Sequence, residues 1–200
     1  MKRWMSMAWV MGLALWLMGC ASVPMGAMED DASAKTFAPP SDKAALYIYR
    51  NETFGAAVPM NVSVNGRNIG QTASKTYFQF HLTPGRYSVE SSAENVSELK
   101  LLMEPGRNYF VWQEVKMGIW MARSQLHHVD EPKGRAGVLE SKLASSRLTS
   151  AELLPLEPLG ASPRNTALDE KLRQLQKMYE DKLITEQEYQ VKRKELLDKL

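Results

Sequence analysis

Between Asp42 and about Ala122 the apolar residues recur at every second position, in short runs separated by turn dipeptides. A period of two puts side chains alternately on opposite faces of an extended strand, whereas a helix needs recurrence every three to four residues. Leu46 and Ile48 alternate with Tyr47 and Tyr49, and Met60, Val62 and Val64 run up to Asn65-Gly66. Asn-Gly readily supplies positive φ at both centres of a type I′ turn, which predicts a hairpin. Phe78, Phe80 and Leu82 oppose Tyr77, Gln79 and His81, and Pro84-Gly85 turns the chain into Tyr87 and Val89. Leu99, Leu101 and Met103 reach Pro105-Gly106, and Tyr109, Val111, Gln113 and Val115 follow, interleaved with Phe110 and Trp112. The spacing predicts a mainly β domain over residues 42–147: an antiparallel β-sandwich of about seven strands. One helix, about Pro132–Ala144, packs on it through Val138, Leu139 and Leu143.

The N-terminus reads differently. Lys2 and Arg3 precede an apolar run from Trp4 to Met18, and no charge follows until Glu29. As a helix that run is about 22 Å long, short of a hydrocarbon core of about 30 Å. Residues 1–19 therefore read as a signal peptide rather than a membrane span. Gly19 directly precedes Cys20, the one cysteine of the chain. Leu17, Gly19 and Cys20 resemble the lipobox of bacterial lipoproteins, with Met18 at its permissive position. The resemblance implies cleavage between Gly19 and Cys20, a thioether-linked diacylglycerol on Cys20, and acylation of the new amino terminus by a fatty chain such as palmitate. Two or more chains suffice for stable anchoring. Because Ala21 is not Asp, the resemblance further implies the outer membrane of the cell envelope, on its periplasmic face. With one cysteine no internal disulfide forms, so stability rests on a packed core. Residues 20–41, with small and acidic residues and Pro39-Pro40, read as a flexible tether.

Charge narrows the choice of partner. The precursor carries 25 Lys+Arg and 23 Asp+Glu, and removing Lys2 and Arg3 leaves 23 of each. A neutral chain is ill suited to a polyanion, whose affinity scales with the cations that displace counterions, so nucleic acid is not expected.

A second resemblance rests on Ala45–Arg50, on Val64-Asn65-Gly66 with Ile69-Gly70, and on Leu82–Gly85. Pro105–Phe110, and Val129-Asp130 leading into Gly134-Arg135, complete it. Together these look like a bacterial lipoprotein domain of unknown function, over about residues 42–147. The likeness implies a β-sandwich at the envelope and transfers no catalytic residue.

Pro155, Pro158, Gly160 and Pro163 mark residues 148–165 as a linker. Thr166 with Asp169, and Thr185 with Glu188, are capping-box pairs that open two helices. Leu168, Leu172, Leu175 and Tyr179 form one apolar stripe; Tyr189, Leu196, Leu197 and Leu200 form another. Residues 166–200 resemble the C-terminal module called SHOCT, through Leu172, Leu175, Tyr179, Leu183-Ile184-Thr185, Glu188-Tyr189, Lys192–Lys194 and Leu196-Leu197. Where that family often has Gly, this chain has Lys182, which costs about 1 kcal/mol if the position is left-handed. Helices of this length are marginal alone. The stripes must pack on each other, on a second copy or on a protein partner, and the resemblance favours self-association or docking.

Few residues suggest chemistry. His127-His128 are adjacent on an extended segment and so face opposite ways, so no shared metal ion is expected; His81 is the remaining imidazole. Asp130, Glu131 and Ser124 lie near His127 without a nucleophile-elbow pattern, and no Gly-rich phosphate loop is present. Trp112, Trp120, Tyr47 and Tyr49 can form a binding patch or simply core. The sequence thus suggests a non-enzymatic binding protein, without cofactor, metal or a recognisable small-molecule ligand. A purely structural envelope component is the alternative, and a hydrolytic or metal-dependent enzyme has least support.

Overall fold

A computed structural model describes residues 22–118, 122–160 and 163–197. The chain divides into two compact units, the first ending at Leu156 and the second beginning at Glu157. The first is built on β1 (Ala44–Arg50), whose seven residues are all buried. Both of its neighbours explain this. β1 pairs antiparallel with β4 (Thr76–Leu82) and parallel with β7 (Asn108–Met117), with Ile48 opposite both Phe78 and Val111. A strand buried on both faces reads as a near-continuous apolar run, which is what Ala-Ala-Leu-Tyr-Ile-Tyr is. β8 (Ala122–Val129) extends this sheet beyond β7, and β9 (Lys142–Leu143) pairs with β4 on the other side.

The second sheet joins β2 (Met60–Val64), β3 (Arg67–Thr72), β5 (Gly85–Ser92) and β6 (Val96–Met103) in antiparallel ladders. Asn65 and Gly66 have φ of 51° and 74°, the two positive values a type I′ turn requires. Leu46, Ile48, Phe78, Phe80 and Val111 from one sheet, and Val62, Val64, Ile69, Tyr87 and Val89 from the other, form one core. At one end of that core the contacts become polar. The Thr72 hydroxyl donates to Gln113 Oε1, Gln113 Nε2 donates to Ser91 Oγ, and Ser91 and Ser124 hydroxyls lie 2.6 Å apart. Arg50, fully buried beside them, donates to the carbonyls of Gly55 at 2.6 Å and Val58 at 2.7 Å, fixing the loop after β1. Burial pushes its guanidinium below its usual pKa, opposed by nearby Glu52.

The outer face of the first sheet carries Ala45, Tyr47, Tyr49, Tyr77 and Phe110 under α1 (Met28–Ala34) and α2 (Glu131–Leu139). Glycine lets α2 come this close. A Cβ on Gly134 would lie 2.1 Å from Phe110 Cγ, and one on Gly137 would lie 2.0 Å from Tyr49 Cε2.

Several expectations are corrected. Among the described residues there are ten strands rather than about seven, counting β10 (Glu157–Pro158) in the second unit. β3 and β8 were hidden by polar composition, and β9 and β10 are two residues long. The ladders are not all antiparallel, because the chain visits the second sheet between β1 and β7 and so supplies the long crossover a parallel pair needs. The helix expected to reach Ala144 ends at Leu139, and Leu143 pairs with Tyr77 in β9. Residues 22–41 are not a free tether: they contain α1, and Val23, Ala34 and Phe37 are buried. The stretch 148–156 is not a free linker either. Thr149 and Glu152 close a capping box on a 3₁₀ turn, and Leu153 is buried in the shared core.

The second unit contains α3 (Pro163–Glu180) and α4 (Glu186–Leu197), which pack on each other. α3 starts at Pro163, where a missing N–H costs nothing, so Thr166 lies inside the helix rather than at its cap. Thr185 and Glu188 do form their box: Thr185 N–H donates to Glu188 Oε2 at 2.9 Å and Glu188 N–H to Thr185 Oγ1 at 3.3 Å. Lys182 has φ of 58° and takes the left-handed position anticipated for it.

The α2 glycines yield a stability test. Gly137→Ala gains about 1 kcal/mol of helix propensity but forces a methyl into the Tyr49 ring. The expected net effect is destabilisation by about 1–2 kcal/mol, read as a lower urea midpoint at unchanged slope. An unchanged or higher midpoint would show that α2 does not bear on Tyr49.

Candidate binding cleft

Where β9 leaves β4, the sheet edge opens. β9 pairs with β4 at Thr76 and Tyr77. The chain then turns away: Ser145 N–H donates to Pro24 O at 2.8 Å and Arg147 N–H to Ile69 O at 2.9 Å. The space left beside Gln79 and His81 is a cleft of about 430 Å³, a volume typical of small-ligand sites. Asp30 and Ser33 of α1 form one wall, and Ser145, Ser146 and Ser150 the other. The Ser150 hydroxyl accepts the His81 backbone N–H at 3.1 Å, standing in for an absent strand partner. Gln79 Nε2 is buried and has no hydrogen-bond partner among the described residues, an arrangement that costs free energy unless something occupies the cleft. Burial pushes the His81 imidazole below its usual pKa, which keeps it neutral at neutral pH.

Asp31 secures the α1 wall. Its Oδ1 accepts the Leu143 N–H at 2.8 Å and the Tyr77 hydroxyl at 3.0 Å, and Oδ2 lies 2.7 Å from Lys35 Nζ. Lys35 Nζ also donates to Ser141 O at 2.8 Å, and the Tyr47 hydroxyl donates to Ala34 O at 2.8 Å. Burial alone would raise the Asp31 pKa, but Lys35, the Leu143 amide and Tyr77 together outweigh it and hold the carboxyl below its ordinary value. Tyr77 moves the opposite way, driven up by burial and by the neighbouring carboxylate.

The residues singled out from sequence fall in other places. His127 stacks on Trp112 with ring centroids 5.2 Å apart, and its Nε2 lies 2.7 Å from Glu114 Oε2. Lys133 Nζ sits 4.3 Å above the Trp112 ring. Burial raises the Glu114 pKa, but its bonds to His127 and Lys116 prevail and lower it. His128 stacks instead on Tyr109, at 6.0 Å. Ser124 is buried and bonded to Ser91, and its place on β8 puts it on the opposite face from His127. Asp130 caps α2 by accepting the Lys133 N–H at 3.0 Å, and Glu131 pairs with Arg135. Tyr47 and Tyr49 are buried beneath the helices rather than forming a surface patch. Among the described residues no group of three His, Cys, Asp or Glu is placed to hold a metal ion, and no helix is long and apolar enough to cross a membrane.

In the helical pair, Leu175 is buried, Leu172, Tyr189 and Leu196 are half-buried, and Tyr179 stacks on Tyr189 at 5.0 Å. The stripes thus meet each other within the hairpin, while Leu197, Met178, Leu183 and Val191 stay exposed. Leu168 falls in α3; Gly19, Cys20, Trp120 and Leu200 lie outside the described residues.

Sequence reasoning missed Asp31 and Gln79. Asp31 stood in a stretch read as tether, and Gln79 carried no signal beyond its alternation with Tyr77 and His81. The depressed Asp31 pKa has a consequence in acid. Its stabilisation is present above the unfolded carboxyl pKa of about 3.9 and is lost as pH falls through the folded value. Asp31→Asn should therefore lower the urea midpoint at pH 7 while reducing the further drop between pH 5 and about pH 2. An equal acid drop in both proteins would show that Asp31 is not held by this network.

Comparison with known proteins places the chain. The model of a family described as protein of unknown function, DUF2846, matches residues 40–125, which span β1 to the middle of β8. An uncharacterized protein of Haemophilus influenzae is 31% identical over 147 residues, covering 72% of this chain and 88% of that protein. The chain belongs to this family of proteins of unknown function, DUF2846.

Proposed function

We propose that the protein is a lipid-anchored binding protein of the bacterial envelope, facing the periplasm from the outer membrane. In this reading Cys20 carries the lipid after cleavage behind Gly19, and the two sheets close as a β-sandwich that presents the cleft beside β4. The observation that carries the binding role is the buried Gln79 Nε2, without a partner among the described residues, at a cleft of about 430 Å³. Its surroundings select the ligand class. Serine hydroxyls and a neutral His81 line it, with Asp30 as a carboxylate, so a neutral ligand rich in hydroxyl or amide groups fits and an anion does not. The Gln79 amide calls for an acceptor oxygen on that ligand.

The SHOCT-like helical pair is the docking element for a second copy or a protein partner. A hairpin of this size that, among the described residues, fully buries little beyond Leu175 has too small a core for independent stability. Exposed Met178, Leu183 and Val191 supply further apolar surface for a partner.

The test has two arms. Intact mass of the membrane-extracted protein should show a chain beginning at Cys20 with its acyl additions, and Cys20→Ser should lose both the additions and the membrane fraction. A photo-crosslinking residue at Ser33, on the cleft wall, should form adducts in intact cells that the same residue at exposed Leu102 does not. An unmodified Cys20 would overturn the anchor. Identical adduct patterns at Ser33 and Leu102, or none at either, would overturn the cleft as a binding site.

A further inference from the structure

We propose that the edge of the domain formed by Val23–Met28 rests directly on the lipid bilayer, with Met25 and Met28 seated among the headgroups. This rests on the lipid anchor at Cys20 put forward above, and adds which side of the domain meets the membrane. Val23 is 7% exposed and part of the core shared by both sheets. Immediately after it the chain is bonded down. Pro24 O accepts the Ser145 N–H at 2.8 Å, Gly26 N–H donates to Leu143 O at 2.9 Å, and Met25 bridges to Ala144. Folded structure therefore begins three residues after Cys20.

Three fully extended residues reach at most about 11 Å. The polar layer on each side of a bilayer is about 5–7 Å deep. With its acyl chains in the hydrocarbon, Cys20 leaves Val23 almost no room above the headgroups. The domain is held at the surface by geometry rather than suspended above it.

The side chains at that point suit the position. Met25 is 46% exposed and Met28 84% exposed. Single exposed apolar residues are ordinary; what distinguishes these two is their place five and eight residues from the anchor, on a segment that cannot leave it. The unbranched thioether adapts to an irregular lipid surface. Around them, Glu29 and Asp30 are acidic, and Lys35 is held by Asp31. Such a rim suits the ammonium of phosphatidylethanolamine and opposes anionic lipid. Gly26 and Asp30 also line the cleft, so its mouth lies beside the bilayer and its ligand is met at membrane level.

Acylation of Cys20 leaves an introduced cysteine as the only free thiol of the mature chain. Met28→Cys and Leu102→Cys, each in the full acylated protein, are labelled with the fluorophore NBD. Leu102 is an exposed residue of β6, which packs against β8, at the far side of the first sheet from β9. The proteins are reconstituted into phosphatidylethanolamine–phosphatidylglycerol vesicles containing brominated acyl chains. The label at residue 28 should emit at shorter wavelength than in detergent-free water and be quenched by bromine, while the label at 102 should show neither effect. Introducing Met25→Glu into the Met28→Cys protein should weaken the quenching without releasing the protein from the vesicles. Confirmed acylation with labels at 28 and 102 equally water-exposed would overturn this inference alone. An unacylated Cys20 would overturn the anchor and this inference together.

Discussion

The structure depends on the burial of β1 on both faces. Leu46 and Ile48 enter the core shared by the two sheets, while Tyr47 and Tyr49 point the other way and, with Tyr77 and Phe110, would expose a broad aromatic surface to water. Covering that surface requires a third layer, which α1 and α2 provide. α2 reaches it through Gly134 and Gly137, where any side chain would collide with Phe110 or Tyr49. α1 has only seven residues, far too few to hold its shape alone, and is kept in place by Asp31, Lys35 and the Tyr47 hydroxyl.

From that requirement follow the position of the N-terminal segment and the existence of the cleft. Once Asp31 is bonded to Leu143 and Tyr77, the chain before α1 must run along β9, which brings Pro24 and Gly26 into hydrogen bonding with Ser145 and Leu143. The same path diverts residues 145–147 from β4 and leaves Gln79 lining the cleft. Fold, cleft and the anchoring of the N-terminal segment to β9 are thus consequences of one packing problem.

Much of this was legible in the sequence. Two-residue alternation located the strands with apolar faces, Asn65-Gly66 located a hairpin, and Thr185 with Glu188 located a helix start; each is a local rule that the residues themselves satisfy. The failures came where local rules are silent. β3 and β8 are strands because neighbours offer them ladders, and their own residues, such as Arg67, Asn68, Gln71, Arg123 and Gln125, do not announce it. Residues 22–41 look like a tether because alanines, acids and prolines are poor in core-formers; Ala34 and Phe37 suffice only because the tyrosine face waits for them, and Val23 because the core between the sheets receives it. His127 and Trp112 drew attention by type and stand apart from the cleft. Gln79 became a candidate only when its amide was found buried without a partner.

The central claim is that the chain from Val23 to Gly26 is an integral part of the folded domain. Amide hydrogen exchange of the protein tests it most directly, at Gly26 and Ser145, which donate to Leu143 and Pro24. Protection at both, approaching that of the β1 and β4 amides, is the expected result. Exchange at the rate of an unstructured peptide at both positions would contradict it, and would return this segment to the role of a flexible tether.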